Sequence, residues 1–298
     1  MRRRAQVRML AGAAVGAGLA GCAGEPTADL PDRPVLTDYD MVVDGYNQRT
    51  DLIETIWAPA VVDVRFTTED GGTDWEQGNG RFQFRQPDRL SLNVGKLGNN
   101  WFWIGCNDVL YWIFDLRENE QVVYFGRNAA NGRDAADRLG WPVVPRDLVL
   151  LTGNTSLPDA EALAERGVAV EAWRRDDRGR TFLEWSRGGI RTTRYVLETD
   201  TLLPVRIILY GDTGEPLVRT ELERHDHLPI RGVGGALPRI ATHYRIRNLE
   251  TGDEVSIRLE QMQGEKKIND VVFDLEALAE QLDIRRATDL DQPAGAQP

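Results

Sequence analysis

The stretch WFWIGCNDVLYWIF, residues 101–114, predicts a hairpin whose two arms carry large apolar side chains on both faces. Side chains alternate between the faces of a strand, so Trp101 and Trp103 share one face while Phe102 and Ile104 share the other. An antiparallel sheet with one face in water alternates apolar and polar residues instead. Each face of this hairpin must therefore be covered by apolar groups.

Helices can cover one face of the hairpin. For the other face, the sequence is compatible with two coverings. That face either closes over a core of the protein's own side chains or lines an apolar cavity for a ligand such as an acyl chain. The pattern leaves open which face would line such a cavity. The candidate wall residues are the six large aromatic side chains of the stretch: Trp101, Phe102, Trp103, Tyr111, Trp112 and Phe114.

Strand patterns with a period of two extend from the hairpin in both directions. Glycine pairs such as Gly71-Gly72 and Gly188-Gly189 indicate hairpin turns between them. Strands are predicted over residues 62–66, 75–85, 89–94, 100–105, 109–115 and 121–126, and again over 168–174, 181–185, 192–198, 204–210, 217–225, 240–248 and 254–261.

Helical patterns begin, interrupt and end this series of strands. Apolar residues at spacings of three, four and seven predict an opening helix, with Thr37 or Asp38 as its N-cap and Pro59 just beyond its end. Helices at the ends and in the middle of about a dozen antiparallel strands predict the α+β class and not repeated βαβ units. The helical regions are residues 38–57, residues 132–151 with two short possibilities, and residues 274–282.

The first 22 residues have the layout of an export signal. A basic segment, MRRRAQVR, precedes a weakly apolar run of about a dozen residues, shorter than the roughly 20 that a transmembrane helix needs. The run ends in Leu19-Ala20-Gly21-Cys22, which resembles the bacterial lipobox, where a peptidase cuts before a cysteine that carries diacylglycerol. We expect a signal peptide over residues 1–21 and lipidation at Cys22. The alternative is an ordinary signal peptide that leaves Cys22 as a free thiol.

The lipobox resemblance implies a location in the bacterial cell envelope. The chain would face the periplasm on a lipid anchor, after export by the general secretory or the twin-arginine route. Ala23, and not Asp, follows the cysteine. By similarity to enterobacterial sorting, this favours the outer membrane over the inner membrane.

Composition divides the mature chain into three parts. Residues 22–37 are rich in Pro, Asp and small residues without an apolar period, which indicates a lipidated tether. Residues 287–298 are similarly irregular and predict a disordered tail. The folded domain is therefore expected over residues 38–286.

The charge balance argues against a nucleic-acid partner. The chain has 36 Lys and Arg against 47 Asp and Glu, a formal net charge of −11. Proteins that bind nucleic acid mainly through phosphates need a basic surface. No Lys/Arg cluster occurs in the sequence beyond its N-terminus.

No motif in the sequence specifies a catalytic or cofactor site. It has no phosphate loop, dinucleotide-binding glycine loop or Gly-x-Ser-x-Gly. His225, His227 and His243 could supply three nitrogen ligands to a metal, but the first two lie at a predicted strand end beside Pro229. We therefore predict no metal site, no cofactor and no enzymatic activity.

The cysteine count bears on how the fold is stabilised. Cys106 is the only cysteine besides Cys22. If Cys22 is lipidated, Cys106 has no partner for an intrachain disulfide, so the fold must rely on its core. We interpret Cys106 as a hairpin residue and not as a nucleophile.

The mature chain as a whole resembles the LolA/LolB-like lipoprotein-carrier superfamily, which includes mycobacterial lipid-binding lipoproteins and the periplasmic stress regulator RseB. The shared pattern is an N-terminal helix followed by a long antiparallel meander. The resemblance implies a half-open antiparallel β-barrel with helices covering its concave apolar face, and a function of holding acyl chains. Members that act as membrane receptors use an exposed apolar loop, which the sequence pattern does not locate. The matching segments are Tyr46-Asn47 and residues 53–57, 82–92, 104–112, 145–148, 201–206 and 210–212.

We therefore expect a membrane-anchored envelope lipoprotein that binds lipid or lipoprotein acyl chains in an apolar barrel cavity, as a carrier or an acceptor. A first alternative is a non-catalytic sensor or scaffold with a filled barrel, whose acidic surface binds an envelope protein partner, as the RseB resemblance allows. An anchored metalloenzyme is a second alternative. The sequence does not define the ligand or the oligomeric state.

Overall fold

The computed structural model of the chain describes residues 35–68, 71–117, 121–128, 144–175, 179–230 and 237–292. The expected signal peptide, Cys22 and the tether up to residue 34 lie outside these ranges, as does the 132–143 part of the second predicted helical region. Within the described ranges, no helix is long and apolar enough to cross a membrane.

Sixteen strands in this part of the chain form a single sheet. The first seven are β1 (Val35–Leu36), β2 (Thr55–Thr67), β3 (Thr73–Arg85), β4 (Arg89–Lys96), β5 (Asn99–Cys106), β6 (Leu110–Asp115) and β7 (Val122–Arg127). The others are β8 (Val168–Arg175), β9 (Arg180–Arg187), β10 (Ile190–Glu198), β11 (Pro204–Tyr210), β12 (Pro216–His227), β13 (Arg239–Asn248), β14 (Glu254–Leu259), β15 (Gln263–Gly264) and β16 (Arg286–Asp289). The helices are α1 (Tyr39–Thr50), α2 (Pro145–Leu151), α3 (Ala160–Glu165), α4 (Leu275–Gln281) and a 3₁₀ turn (Asp270–Phe273).

The sheet consists of two meanders that meet at β2. Its order is β1-β8-β9-β10-β11-β12-β13-β14-β2-β3-β4-β5-β6-β7-β16, and β15 also pairs with β2. The β7–β16 pair is parallel and the other pairs are antiparallel. The two outermost strands of this order do not pair with each other, so the described sheet stays open. The predicted α+β class and half-open antiparallel barrel are confirmed, with sixteen strands in place of about a dozen.

The opening helix is shorter than predicted. It begins after Asp38, whose side chain accepts the backbone N–H of Met41 at 2.9 Å, and it ends at Thr50 and not at residue 57. From Thr55 onward, residues alternate between buried and partly buried positions, and Ile56 pairs with Phe84 of β3. Pairing on a pleated surface outweighs the helical spacing of these apolar residues.

Pro59, predicted to lie just beyond the helix, is inside β2. The N–H and C=O of a strand residue point to the same neighbour, and the Pro59 carbonyl accepts the N–H of Glu260 at 3.0 Å. Glu260 immediately follows β14, and β15 begins only at Gln263. The missing N–H of the proline therefore faces an interruption in the neighbouring strand, where proline is tolerated.

Apolar side chains form two cores on opposite faces of the sheet. The first core fills the concave face and includes Val42 and Tyr46 of α1 and Leu151 of α2. The second core lies on the other face of β5–β7 and is covered by α4, with Trp112 and Leu278 fully buried. Both faces of the 101–114 hairpin are thus covered by apolar groups, as expected.

Residues 287–289 of β16 lie within the segment expected to be a disordered tail. Residues 286–289 pair with residues 122–125 of β7, and Leu290 packs in the first core. Asp291 accepts the backbone N–H of Arg127 at 2.8 Å. The polar, irregular composition of this segment does not reveal that it covers the edge of β7.

We predict that Leu278→Ala lowers the free energy of unfolding by about 2–5 kcal/mol, because it leaves a cavity between α4 and the sheet. Urea denaturation followed by circular dichroism measures the loss. Glu280→Ala, on the exposed side of the same helix, should change stability by no more than about 0.5 kcal/mol. Equally small effects in both variants would contradict the second core.

Candidate functional site

The six aromatic residues predicted to line a cavity lie on two different faces of the sheet. The register places Trp103 of β5 opposite Phe114 of β6. Both residues pack in the second core together with Trp112. Tyr111 lies on the other face and is fully buried in the first core. Three of the candidates are therefore covered by α4 and not by the concave-face helices.

The two remaining candidates lie near the start of β5. Phe102 pairs with Val94 of the first core and so faces the concave side, whereas Trp101 lies where the register between β4 and β5 shifts. The guanidinium carbon of Arg117 lies 4.3 Å from the centre of the Phe102 ring. The structure does not bring the six residues together into one wall.

A small apolar void lies in the first core between the sheet and α2. Its volume is about 10 Å³, which is close to the smallest space that holds one water molecule. None of the six predicted wall residues contacts it. It is lined by Phe82, Leu90, Leu92, Leu148, Leu151, Thr152, Tyr244, Ile246 and Ile257.

The walls of the void come from inward positions of ordinary strands. Leu90 and Leu92 alternate with outward residues along β4, and Leu92 pairs with Phe82 of β3. The sequence predicts both strands. However, the same alternation occurs in every half-buried strand, so it does not distinguish a void wall from a packed core.

Helix α2 covers the void mainly through apolar packing. It contacts β4, β5 and β6 and presents Leu148 and Leu151 to the void. The thiol of Cys106 in β5 lies 3.9 Å from the carbonyl oxygen of Pro145, the first residue of α2. Burial raises the pKa of Asp147, which accepts the N–H at the start of the same helix.

Helix α1 is instead fixed by hydrogen bonds to the segment after α2. The Tyr46 hydroxyl donates to the Gly153 carbonyl at 2.6 Å, and Arg49 donates to the same oxygen at 2.7 Å. Asn47 makes two bonds of 2.8 Å with the backbone of Leu157. Of the two helices, α2 is therefore the one held less by polar contacts.

Polar side chains also occupy inward positions on the concave face. Tyr195 and Thr220 are fully buried on the concave face, and the Asn154 amide donates to the Tyr244 hydroxyl at 3.3 Å. Burial raises the pKa of Tyr244 to about 12 and that of Tyr195 well above its ordinary value, so both phenols keep their protons. The sequence did not indicate this cluster, although Thr220 occupies an inward position between Val218 and Leu222 of a predicted strand.

The histidines do not form a metal site in the structure. The ring of His225 lies 3.0 Å from the Pro204 carbonyl, and the ring of His243 lies 2.9 Å from the Ser256 hydroxyl. Burial lowers the pKa of both rings. Among the residues that the structure describes, no group of three His, Cys, Asp or Glu side chains is placed to hold a metal.

The outer face of β2, β3, β13 and β14 carries an open polar groove of about 820 Å³. Arg258 pairs with Asp63 at 3.2 Å, and Arg245 pairs with Glu223 beside it. Charges of both signs line this groove, so it suits a polar partner and not an acyl chain.

An exposed apolar residue lies at the turn between β4 and β5. Leu97 is 94% exposed and adopts a φ of 55°, followed by Gly98. A single leucine between two strands gives no periodic signal, so the sequence pattern does not indicate this position.

No protein-family model matches the chain, and no curated protein matches it. The structure is similar to a domain from Vibrio parahaemolyticus that its description assigns to outer-membrane lipoprotein sorting. The TM-score is 0.53 at 10% identity, over 81% of this chain and 99% of that one. This similarity shows the fold, which is the one that the LolA/LolB-like resemblance implied.

Two further solved structures are similar at lower scores. One is a DUF1329 family protein from Desulfovibrio piger, with a TM-score of 0.48 at 13% identity over 80% of this chain and 98% of that one. The other is a LolA superfamily protein from Nitrosomonas europaea, with a TM-score of 0.47 at 11% identity over 80% of this chain and 99% of that one.

We predict that Cys106 is unreactive in the native protein. Burial raises the pKa of its thiol to about 12 from an ordinary 9.0, so almost no thiolate is present near neutral pH. In the Cys22→Ser chain, where Cys106 is the only thiol, a disulfide reagent at about pH 8 should label it only after unfolding in urea. Fast labelling without urea would contradict the packing of α2 over β5.

Proposed function

We propose that the chain is an envelope lipoprotein that holds an acyl chain between the concave face of its sheet and α2. The observation that carries this proposal is the apolar void, which is covered by a seven-residue helix and not by a second sheet. The fold similarity to a domain assigned to lipoprotein sorting supports a ligand with acyl chains. The proposed function needs no cofactor and no catalytic step.

The void must enlarge before it can hold a lipid. Ligand pockets commonly measure roughly 300–1,000 Å³, against about 10 Å³ for this void. Because α1 is hydrogen-bonded to the segment after α2, the space is most easily gained by displacing α2. Withdrawal of Leu148 and Leu151 would open the void toward Leu90 and Leu92 of the sheet.

Apart from the small void, the protein's own side chains fill the first core. This filling favours a second function, that of a sensor or scaffold that binds an envelope protein. In this function the void is a minor packing defect, and the polar groove on the outer face provides the partner surface. The two functions differ in one measurable respect, because only the first requires α2 to admit a lipid.

We expect the full chain carrying Cys22→Ser, produced with export, to retain a noncovalent lipid. Native mass spectrometry followed by organic extraction detects and identifies it. Leu148→Asn should lower the bound fraction by roughly 10-fold, because an unpaired amide against an acyl chain is unfavourable by about 1–3 kcal/mol.

Leu150→Asn is the matched control, since Leu150 lies on the same helix and does not line the void. It should leave the bound lipid unchanged. A ligand-free mass for the unsubstituted Cys22→Ser chain would contradict the carrier function and favour the protein-binding one. Equal losses in the two asparagine variants would contradict the assignment of the site to the void.

The proposed anchor rests on the sequence Leu19-Ala20-Gly21-Cys22. We expect the unsubstituted chain to incorporate labelled palmitate and fractionate with membranes, and Cys22→Ser to abolish the label, because stable anchoring takes two or more acyl chains. Palmitate labelling of the Cys22→Ser chain would contradict the anchor.

Vesicle binding that remains in the Cys22→Ser chain and is lost on Leu97→Glu would locate a second membrane contact at the β4–β5 turn.

A further inference from the structure

Several buried polar atoms have no hydrogen-bond partner among the residues that the structure describes. Three of them are Oδ1 of Asn154, the hydroxyl of Tyr195 and the hydroxyl of Thr220. Their side chains are at most 1% exposed. Nearly all buried polar groups in folded proteins are paired, so each exception calls for an explanation.

Two of these residues lie in a row of side chains that leads to the void, and the third is bonded to a residue of its wall. Tyr195 of β10 and Thr220 of β12 both pair with Ile207 of β11, so they face the concave side in one row across the sheet. The next residue in this row is Ile246 of β13, which lines the void. Asn154 is bonded to Tyr244, whose ring also lines the void.

Neighbouring polar groups are already paired and do not satisfy these atoms. The ring of Tyr46 lies 6.4 Å from that of Tyr195, but its hydroxyl donates to Gly153. The indole of Trp185 lies 5.5 Å from Tyr195, and its N–H donates to the Tyr39 hydroxyl at 2.8 Å. In this part of the described core, unpartnered groups therefore remain on Asn154, Tyr195 and Thr220, together with the Nε–H of Arg49.

We propose that Asn154, Tyr195 and Thr220 form an internal binding point for the ester and hydroxyl oxygens of a neutral acyl lipid. The two hydroxyls can donate to an ester carbonyl, and the Asn154 oxygen can accept from a lipid hydroxyl. The acyl chain then extends into the void beside Ile246. This inference rests on the proposed function and specifies the ligand, because a hydrocarbon would leave all three groups unpaired.

The binding point itself consists of uncharged groups. Two nitrogens of the Arg49 guanidinium donate to the carbonyls of Gly153 at 2.7 Å and Arg239 at 3.3 Å, and its Nε–H has no partner among the described residues. Amide and hydroxyl groups pair with ester and hydroxyl oxygens without the burial of a further charge.

The test compares two probes of equal chain length, monoolein and 1-octadecene, each delivered from methyl-β-cyclodextrin to the full Cys22→Ser chain. Bound probe is separated by gel filtration and quantified by gas chromatography. The double variant Tyr195→Phe/Thr220→Val should weaken monoolein binding by roughly 10-fold, the effect of about two hydrogen bonds, and leave octadecene binding unchanged.

The matched control is Tyr124→Phe/Thr193→Val, which removes the same two hydroxyl types elsewhere on the concave side. It should bind both probes as well as the Cys22→Ser chain without these two substitutions. Unchanged monoolein binding in the test variant overturns the inference, and so does an equal loss for both probes. If octadecene binds, and if monoolein binds equally well with and without the two hydroxyls, the proposed function stands without the inference. If neither probe binds the unsubstituted chain, both fail.

Thermal unfolding without ligand gives an independent readout. If the hydroxyls are unpaired in the empty protein, Tyr195→Phe/Thr220→Val should leave the melting temperature unchanged or raise it. A fall of about 3 °C or more would show that the groups are already satisfied inside the empty protein, and would overturn the inference.

Discussion

The antiparallel pairing of β2 with β14 holds the two halves of the chain in one sheet. It runs from Arg65 opposite Glu254 to Ala60 opposite Leu259. The neighbouring pairs within each meander join strands close in sequence, whereas this one closes a loop of nearly the whole domain. It also makes the concave face continuous, because Val62, Ile257 and Tyr244 then lie in one row. The void, its α2 cover and the polar cluster all depend on that continuity.

The sequence predicted the strands well because alternation is a local property, and it predicted less of what covers them. Apolar residues on both faces of the 101–114 hairpin correctly required two coverings. The cover of the outer face is Leu278 of α4, far along the chain, and no local pattern connects it to Trp112. The choice of wall residues followed side-chain size. The void instead formed where Leu148 meets inward leucines whose pattern is that of any half-buried strand.

Two details of the site show where local rules were overridden. The helical spacing near Ile56 yielded to pairing with Phe84, and Pro59 was accommodated by an interruption in β14–β15. Conversely, Tyr195 and Thr220 are polar residues at inward positions of predicted strands, a local inconsistency that the alternation of the sequence already displays. Such inconsistencies are commonest where a protein has a task besides folding. The interior thus combines apolar walls with buried hydrogen-bonding groups that have no partner among the described residues.

The outermost strands of the described sheet are short. The sheet ends in β1, two residues long, and β16, four residues long, and α3 contacts β8. Short edge strands are poor templates for pairing with another molecule. A lipid anchor confines proteins to two dimensions, where neighbours meet far more often than in free solution. If the chain is anchored as we propose, its short edge strands limit pairing between neighbouring copies.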